Sequence, residues 1–196
     1  MEIIEREVGS HPYNELEWPI VRRIIHATAD FDFAGENKIV FHKDAITSGI
    51  NALKNGCSII VDVNGVIGGL NKQNPKDFGN NLICNISDPD LAERAKQENK
   101  TRAQMSMRIA ASEMNGGILV IGNAPTALLE VIKMIREGVT KPALVIGIPV
   151  GFVSAAESKE ELQTVDVPFI TNTGRKGGSS CAASIVNALF KLLREN

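Results

Sequence analysis

The chain has 196 residues, of which 43% are hydrophobic, enough for one sizeable core, so residues 1–196 are predicted to form a single domain. Its 21 basic and 23 acidic residues nearly cancel, which gives no indication of a nucleic-acid partner or an anionic membrane surface. The first residues lack the apolar core of a signal peptide, and no apolar run approaches the ~20 residues of a membrane helix, so we expect a cytoplasmic protein.

The first predicted element is a helix over residues 19–30, PIVRRIIHATAD, with a proline in its first turn. Helical spacing places its aliphatic residues on one stripe and its polar residues on the opposite side: Arg22, Arg23, His26 and Asp30. His26 is therefore a candidate proton donor, because histidine is the side chain that changes charge near neutral pH. Spacing alone also allows a charged helix face turned towards solvent.

From residue 44 onward, short apolar runs alternate with helical patterns. Strands are predicted over 58–63, 81–86, 117–122, 143–148 and 168–172, and helices over 44–56, 89–114, 125–138, 157–165 and 179–196. The strands are apolar at consecutive positions, which is typical of strands covered on both faces. This alternation predicts an α/β fold with a mostly parallel central sheet of about five strands and helices on both faces, a three-layer αβα arrangement.

Ligands of such sheets bind beyond the carboxyl ends of the strands, and the loop over residues 122–126 is the first candidate there. It leads directly into a helix, with Pro125 suited to the first helical turn. The amides of that turn predict a seat for a carboxylate or phosphate, with Asn123 and Thr126 as candidate ligand contacts. The alternative is an ordinary, well-capped helix.

Two further strand ends are rich in glycine. In GIPVGFVS, Gly147 and Gly151 allow the backbone to approach a ligand or a neighbour closely, and Ser154 with Glu157 fits a capping box. In TNTGRKGGSS, Arg175 and Lys176 stand on a glycine-rich loop just before a helix. This arrangement predicts an anion clamp, with a solvated turn as the alternative.

No metal site or disulfide framework is predicted. The three cysteines are far apart and lack C-x-x-C spacing. No second histidine or cysteine stands at ligand spacing from His26. We therefore expect no bound metal.

Four segments, IIHATADFDFA, GNAPTAL, GIPVGFVSAAESK and TGRKGGSSCAASIVNAL, resemble the precorrin-8X methylmutase family, known in the anaerobic pathway as cobalt-precorrin-8 methylmutase. The resemblance runs from about Val21 to Leu189. It implies an isomerase of corrin biosynthesis that moves a methyl group between adjacent ring C carbons of a tetrapyrrole, in a 1,5-sigmatropic shift without an external cofactor. It also implies a homodimer with the active site near the subunit contact.

The resemblance assigns the family's catalytic histidine to His26, which would exchange a proton with the macrocycle, and substrate contacts to Arg23 and to Arg102 in NKTRAQM. Ordinary surface charge is the alternative for both arginines. By position at strand ends, the further candidate substrate contacts are Asn123, Thr126, Gly151, Arg175 and Lys176. Substrates with and without cobalt remain open at this point.

Two other functions also remain open. A tetrapyrrole carrier without catalysis is suggested by the short segment before Arg23. A nucleotide-binding protein that uses GNAPTAL is disfavoured, because no Walker or dinucleotide fingerprint is present.

Overall fold

A six-stranded sheet runs through the middle of the protein in the computed structural model, which describes residues 2–195. The strands are β1 (Ile39–Phe41), β2 (Ser58–Val61), β3 (Asn81–Ile83), β4 (Ile118–Ile121), β5 (Leu144–Gly147) and β6 (Phe169–Asn172). Their spatial order is β1-β6-β5-β4-β2-β3, and every neighbouring pair is parallel except β1 with β6. Every residue of β4, β5 and β6 is buried, which explains why these strands are apolar at consecutive positions.

Helices cover both faces of the sheet. They are α1 (Glu2–Val8), α2 (Trp18–Thr28), α3 (Ala45–Lys54), α4 (Asn64–Gly69), α5 (Gln73–Phe78), α6 (Leu91–Gln97), α7 (Arg102–Ile109), α8 (Pro125–Arg136), α9 (Ala155–Leu162) and α10 (Ser179–Glu195). Alternate residues of β4 enter two separate cores, one with α2, α3 and α10 and the other with α7, α8 and α9. The predicted three-layer α/β fold is therefore confirmed, with six strands in the sheet.

Several predicted details are wrong. The single helix predicted over 89–114 is divided into α6 and α7, because Asn99 has a left-handed φ of 51° and Thr101 begins α7 with a capping box to Gln104. The capping box predicted at Ser154 does not form, since Ser154 has a φ of 60° and its side chain makes no cap hydrogen bond. The sequence patterns also did not predict α1, α4, α5 or β1.

The helix that carries His26 is amphipathic, as predicted. Its aliphatic residues are fully buried, mainly against α10: Ile20, Val21, Ile24 and Ile25. Burying each of these side chains contributes roughly 1.5–3 kcal/mol, so the helix is firmly attached along this stripe. The helix ends where Ala29 adopts a left-handed φ of 54°, and His26 is exposed on the opposite side.

Among the described helices, none is both long enough and apolar enough to cross a membrane.

Candidate active site

The carboxyl ends of β2, β3, β4, β5 and β6 lie at one edge of the sheet, here called the carboxyl edge. Two loops interlock there, the β5–α9 loop (residues 148–154) and the β6–α10 loop (residues 173–178). The Gly178 N–H donates to the Ile148 carbonyl at 2.9 Å, and the Gly151 N–H donates to the Arg175 carbonyl at 3.2 Å. A Cβ atom at Gly177 would lie 2.3 Å from the Ile148 carbonyl oxygen, so this contact requires glycine.

A buried lysine of α9 supports the β6–α10 loop from below. Lys159 is 1% exposed, and its ammonium donates to Asn172 Oδ1 at 2.9 Å, to the Gly174 carbonyl at 2.9 Å and to the Lys176 carbonyl at 2.5 Å. Burial lowers the pKa of Lys159 from its ordinary value of 10.5 to about 8. At neutral pH the ammonium form therefore supplies three N–H donors to the end of β6 and to its loop.

The β6–α10 loop is also joined to the segment that follows α2. The Lys176 ammonium donates to Asp30 Oδ2 at 2.7 Å and to Asp32 Oδ2 at 2.6 Å. Hydrogen bonding to Asp30 and then to Asp32 raises the pKa of Lys176. Burial of Asp30 acts in the opposite direction, but the Lys176 ammonium lowers the pKa of that carboxyl overall. The segment that follows α2, four to six residues after His26, is thus held at the carboxyl edge.

The anion seat predicted before α8 is present, but the chain itself fills it. Asp62, the residue after β2, is fully buried and accepts N–H donors from Gly122 at 2.9 Å, Asn123 at 2.8 Å and Ala124 at 2.8 Å. Burial raises the pKa of Asp62, although the three N–H groups oppose that shift. The adjacent strands β2 and β4 connect onward in opposite directions, β2 to β3 and β4 to β5. The Asp62 carboxylate therefore lies at the topological switch point of the sheet.

Three other predicted contacts lie near the loops after β3 and β4. The Arg102 residue is exposed, and its guanidinium donates to the Ile86 carbonyl at 2.7 Å, which holds the guanidinium beside the loop that follows β3. The Thr126 hydroxyl lies 3.3 Å from the Thr101 hydroxyl, which joins the starts of α7 and α8. The Asn123 residue is exposed. These side chains therefore surround the same edge of the sheet as the two interlocked loops.

Arg23 faces a different part of the surface. It is exposed on α2, three residues before His26, and lines a cleft of about 290 Å³ between α2, α10 and the start of α5. Asn187 and Lys191 of α10 line the same cleft, which places it further along α10 from the carboxyl edge. The structure therefore brings Arg175, Lys176 and the α2 end together, with Arg23 one helical turn away from His26.

The β5–α9 loop presents exposed apolar side chains next to a cation. Phe152 is 86% exposed and Val153 is 81% exposed. The Arg175 guanidinium lies 5.9 Å from the centre of the Phe152 ring, within the range of a cation–π contact. Apolar surface beside a guanidinium suits a ligand with an apolar body and carboxylates at its rim.

The sequence prediction missed the two buried charged residues at this edge of the sheet, Asp62 and Lys159. Asp62 carries a signal that could have been used, because it is the one acidic residue inside the otherwise apolar run SIIVDV. Lys159 carries a weaker signal, because the charged residues around it in AAESKEEL are typical of a solvent-exposed helix.

Comparison with known proteins identifies the family of the chain. The sequence profile of the precorrin-8X methylmutase family matches residues 1–192. The chain is 53% identical to a cobalt-precorrin-8 methylmutase from Priestia megaterium, over 96% of this chain and 83% of that protein. It is 50% identical to one from Leptospira interrogans, over 97% of this chain and 89% of that protein.

A solved structure has the same fold. The precorrin-8X methyl mutase from Thermus thermophilus superposes with a TM-score of 0.91 at 39% sequence identity, over 99% of this chain and 93% of that one. The agreement covers nearly the whole chain in both sequence and structure. The chain therefore belongs to the precorrin-8X methylmutase family, whose members are isomerases of cobalamin biosynthesis.

Proposed function

We propose that the protein moves a methyl group between adjacent ring C carbons of cobalt-precorrin-8, with His26 as the proton donor. One observation carries the proposal: the exposed His26 belongs to a helix whose end is attached to the carboxyl edge by Lys176 and two aspartates. That edge is where an α/β sheet places its ligands.

The surrounding residues suit a tetrapyrrole with acetate and propionate groups around an apolar conjugated ring. Two exposed arginines at the carboxyl edge, Arg102 and Arg175, are proposed to bind rim carboxylates, because guanidinium groups bind carboxylates through paired hydrogen bonds. Arg23, one helical turn before His26, is proposed to bind a carboxylate that extends towards the cleft between α2 and α10. We propose that Asn123, Thr126 and Lys176 add polar contacts and that Gly151 provides close backbone. Phe152 and Val153 add apolar surface for a ring face.

The proposed reaction conserves all atoms. The bond between the methyl group and one ring carbon breaks as the bond to its neighbour forms, and the conjugated double bonds shift accordingly. A proton from the His26 imidazolium biases the conjugated system towards the product tautomer, and the imidazole recovers a proton when the product forms. Holding the substrate in one tautomer and one geometry lowers the barrier further.

The cobalt-containing substrate is favoured by the comparisons. The relatives at 53% and 50% identity are both cobalt-precorrin-8 methylmutases. We therefore propose that this chain prefers the substrate that already holds cobalt.

An anaerobic assay with both substrates tests the function. Purified protein is incubated with cobalt-precorrin-8 or with metal-free precorrin-8X while the absorption change of the methyl shift is followed. We expect turnover with wild type and none with His26→Ala, while His42→Ala remains active as the matched control. His42 follows β1, and its N–H donates to the carbonyl of Phe169 at the start of β6, so it lies at the opposite edge of the sheet.

The same assay separates the enzyme from a carrier. A carrier would give the spectral change of binding without any product from either substrate, and that result would replace the proposal. Turnover by His26→Ala at the wild-type rate would instead remove the role assigned to His26 while leaving the isomerase function in place.

We further propose a homodimer, as the resemblance implies. The exposed apolar residues Val150, Phe152 and Val153 are candidates for the subunit contact, because grouped apolar side chains at the surface often mark such contacts. This role is compatible with apolar contact to substrate, since the resemblance implies an active site near the subunit contact. Sedimentation equilibrium of wild type and of Phe152→Ser would measure the effect. A dimer of unchanged affinity in the variant would exclude Phe152 from the contact.

A further inference from the structure

The buried ammonium of Lys159 has an unusual set of partners. Within residues 2–195 no salt bridge joins it to a carboxylate, although an unpaired buried charge is costly. Its partners are instead three oxygens of β6 and the β6–α10 loop, two of them backbone carbonyls. If Lys159 were replaced by an apolar residue, the Gly174 carbonyl would lose the Lys159 donor, and the Lys176 carbonyl would keep only its bond from the Asn172 side-chain amide.

The β6–α10 loop, which Lys159 contacts, is rich in glycine and therefore costly to order. It contains Gly174, Gly177 and Gly178, each with a positive φ, and glycines lose the most backbone freedom on ordering. The Asn172 side-chain amide adds donors to the Thr173 carbonyl at 2.7 Å and to the Lys176 carbonyl at 3.0 Å. The Lys176 carbonyl therefore accepts from both Lys159 and Asn172.

Lys176 extends this arrangement to α2. Its carbonyl is held from inside the protein, and its ammonium binds Asp30 and Asp32 directly after α2. A continuous chain of contacts thus runs from the Lys159 ammonium through Lys176 to the segment four to six residues after His26. The adjacent Arg175 is ordered by the same loop.

We infer that Lys159 is a positioning residue of the methyl shift: it fixes the β6–α10 loop so that Lys176 holds the end of α2, and with it His26, in the reactive geometry. This inference rests on the proposed function. Lys159 does not contact substrate, because it lies beneath the loop and is 1% exposed.

The first test replaces Lys159 with Met, which has similar length but no donor. We expect kcat to fall roughly 10- to 100-fold, as for a displacement of about 1 Å in a reacting group, with the KM changed less. The control is Lys133→Met on α8, whose side chain is exposed and, among residues 2–195, forms a salt bridge with Glu137 alone. A Lys159→Met enzyme with kcat within twofold of wild type would overturn the inference.

A second variant breaks the same chain of contacts at its other end. Asp30→Asn with Asp32→Asn keeps the shape of both side chains but removes the charges that bind Lys176. If Lys159 acts on His26 only through Lys176 and the two aspartates, adding Lys159→Met to the double Asp variant causes no further loss. The triple variant then has the same kcat as Lys159→Met alone. Losses that multiply would show independent structural damage and would contradict the positioning role.

Chemical rescue provides a readout that general destabilisation would not change. Lys159→Ala leaves a buried cavity where the lysine side chain was, so n-propylammonium should restore part of kcat, whereas tetramethylammonium, which has no N–H donor, should not. Equal effects of the two ions would argue against the inference.

Hydrogen exchange separates this inference from the proposed function. If wild type forms no product, the proposed function fails, and the loop can still be followed through the amides of Gly151 and Gly178. Faster exchange of both amides in Lys159→Met but not in Lys133→Met supports loop positioning. Unchanged exchange overturns it.

Discussion

Replacing Asp62 with Asn should strongly destabilise the protein, because one carboxylate satisfies three buried N–H groups. Gly122 donates to Oδ1, and Asn123 and Ala124 both donate to Oδ2. An asparagine oxygen at the Oδ1 position keeps the first bond, but its NH₂ group then faces the other two donors. In the flipped orientation the two bonds are kept and the first is lost.

The expected magnitude follows from the number of donors left unpaired. Each buried donor without an acceptor costs about 1–3 kcal/mol, and Asn leaves one or two of them. Removing the buried charge offsets part of this cost, because burial already raises the pKa of Asp62 and so disfavours its ionised form. The unpaired donors correspond to about 1–6 kcal/mol for Asp62→Asn and to about 3–9 kcal/mol for Asp62→Ala, which leaves all three unpaired. Because loss of the buried charge offsets part of this cost, we expect values in the lower half of each range.

Urea denaturation with linear extrapolation measures these losses. Asp166→Asn is the matched control, since Asp166 is exposed, and a surface substitution of this kind changes stability by about 0.5 kcal/mol or less. Hydrogen exchange of the Asn123 and Ala124 amides should accelerate only in the Asp62 variants. If Asp62→Ala were as stable as Asp166→Asn, the assignment of these three hydrogen bonds to loop stability would be wrong.

Three further predictions concern the loop contact, acid stability and substrate binding. Gly177→Ala should destabilise by about 2–4 kcal/mol through backbone overlap, whereas Gly79→Ala, which also has a positive φ but nothing within 4 Å of the added Cβ, should cost about 1 kcal/mol in thermal unfolding. The pKa of Asp30 is lowered in the folded state, so its stabilising contribution is present above its unfolded value of 3.8 and is lost as the pH falls through the folded value. The free energy of unfolding should therefore fall less steeply with decreasing pH in Asp30→Asn than in wild type. An identical fall in both proteins would contradict the ion pair. Arg23→Gln should raise KM with little change in kcat if it binds a rim carboxylate, and an equal fall of kcat would place it in the reaction itself.

Two buried groups should also contribute to the pH dependence of stability, Asp62 in the opposite direction to Asp30 and Lys159 in the same direction. The pKa of Asp62 is raised, so its contribution is present below 3.8 and is lost as the pH rises through its folded value. The pKa of Lys159 is lowered to about 8, so the unfolded state binds more protons between pH 8 and 10.5, and stability gains from this residue as the pH rises through that window. The free energy of unfolding of wild type and of Lys159→Met is measured at pH 7 and pH 10. The difference, wild type minus variant, should be larger at pH 10.

The sequence by itself determined the features that depend on neighbours along the chain. The period of apolar residues in α2 predicted which side is buried, because helix geometry converts spacing into direction. Consecutive apolar residues in β4, β5 and β6 predicted a sheet covered on both faces. The strand β1 was missed because three residues carry too little periodicity, and the helix break at Asn99 depends on one left-handed residue.

Only the tertiary structure decided what the charged residues do. The sequence predicts that Lys176 is a solvated or ligand-binding cation. In the structure it binds Asp30 and Asp32, which lie more than 140 positions earlier in the chain and are brought to it by the packing of α2 on α10. The sequence predicts that the amides before α8 bind an anionic ligand. In the structure they bind the Asp62 carboxylate, which follows the neighbouring parallel strand β2. Strand order brings these groups together, and it is set by the burial of whole elements, not by the local residues that carry the charges.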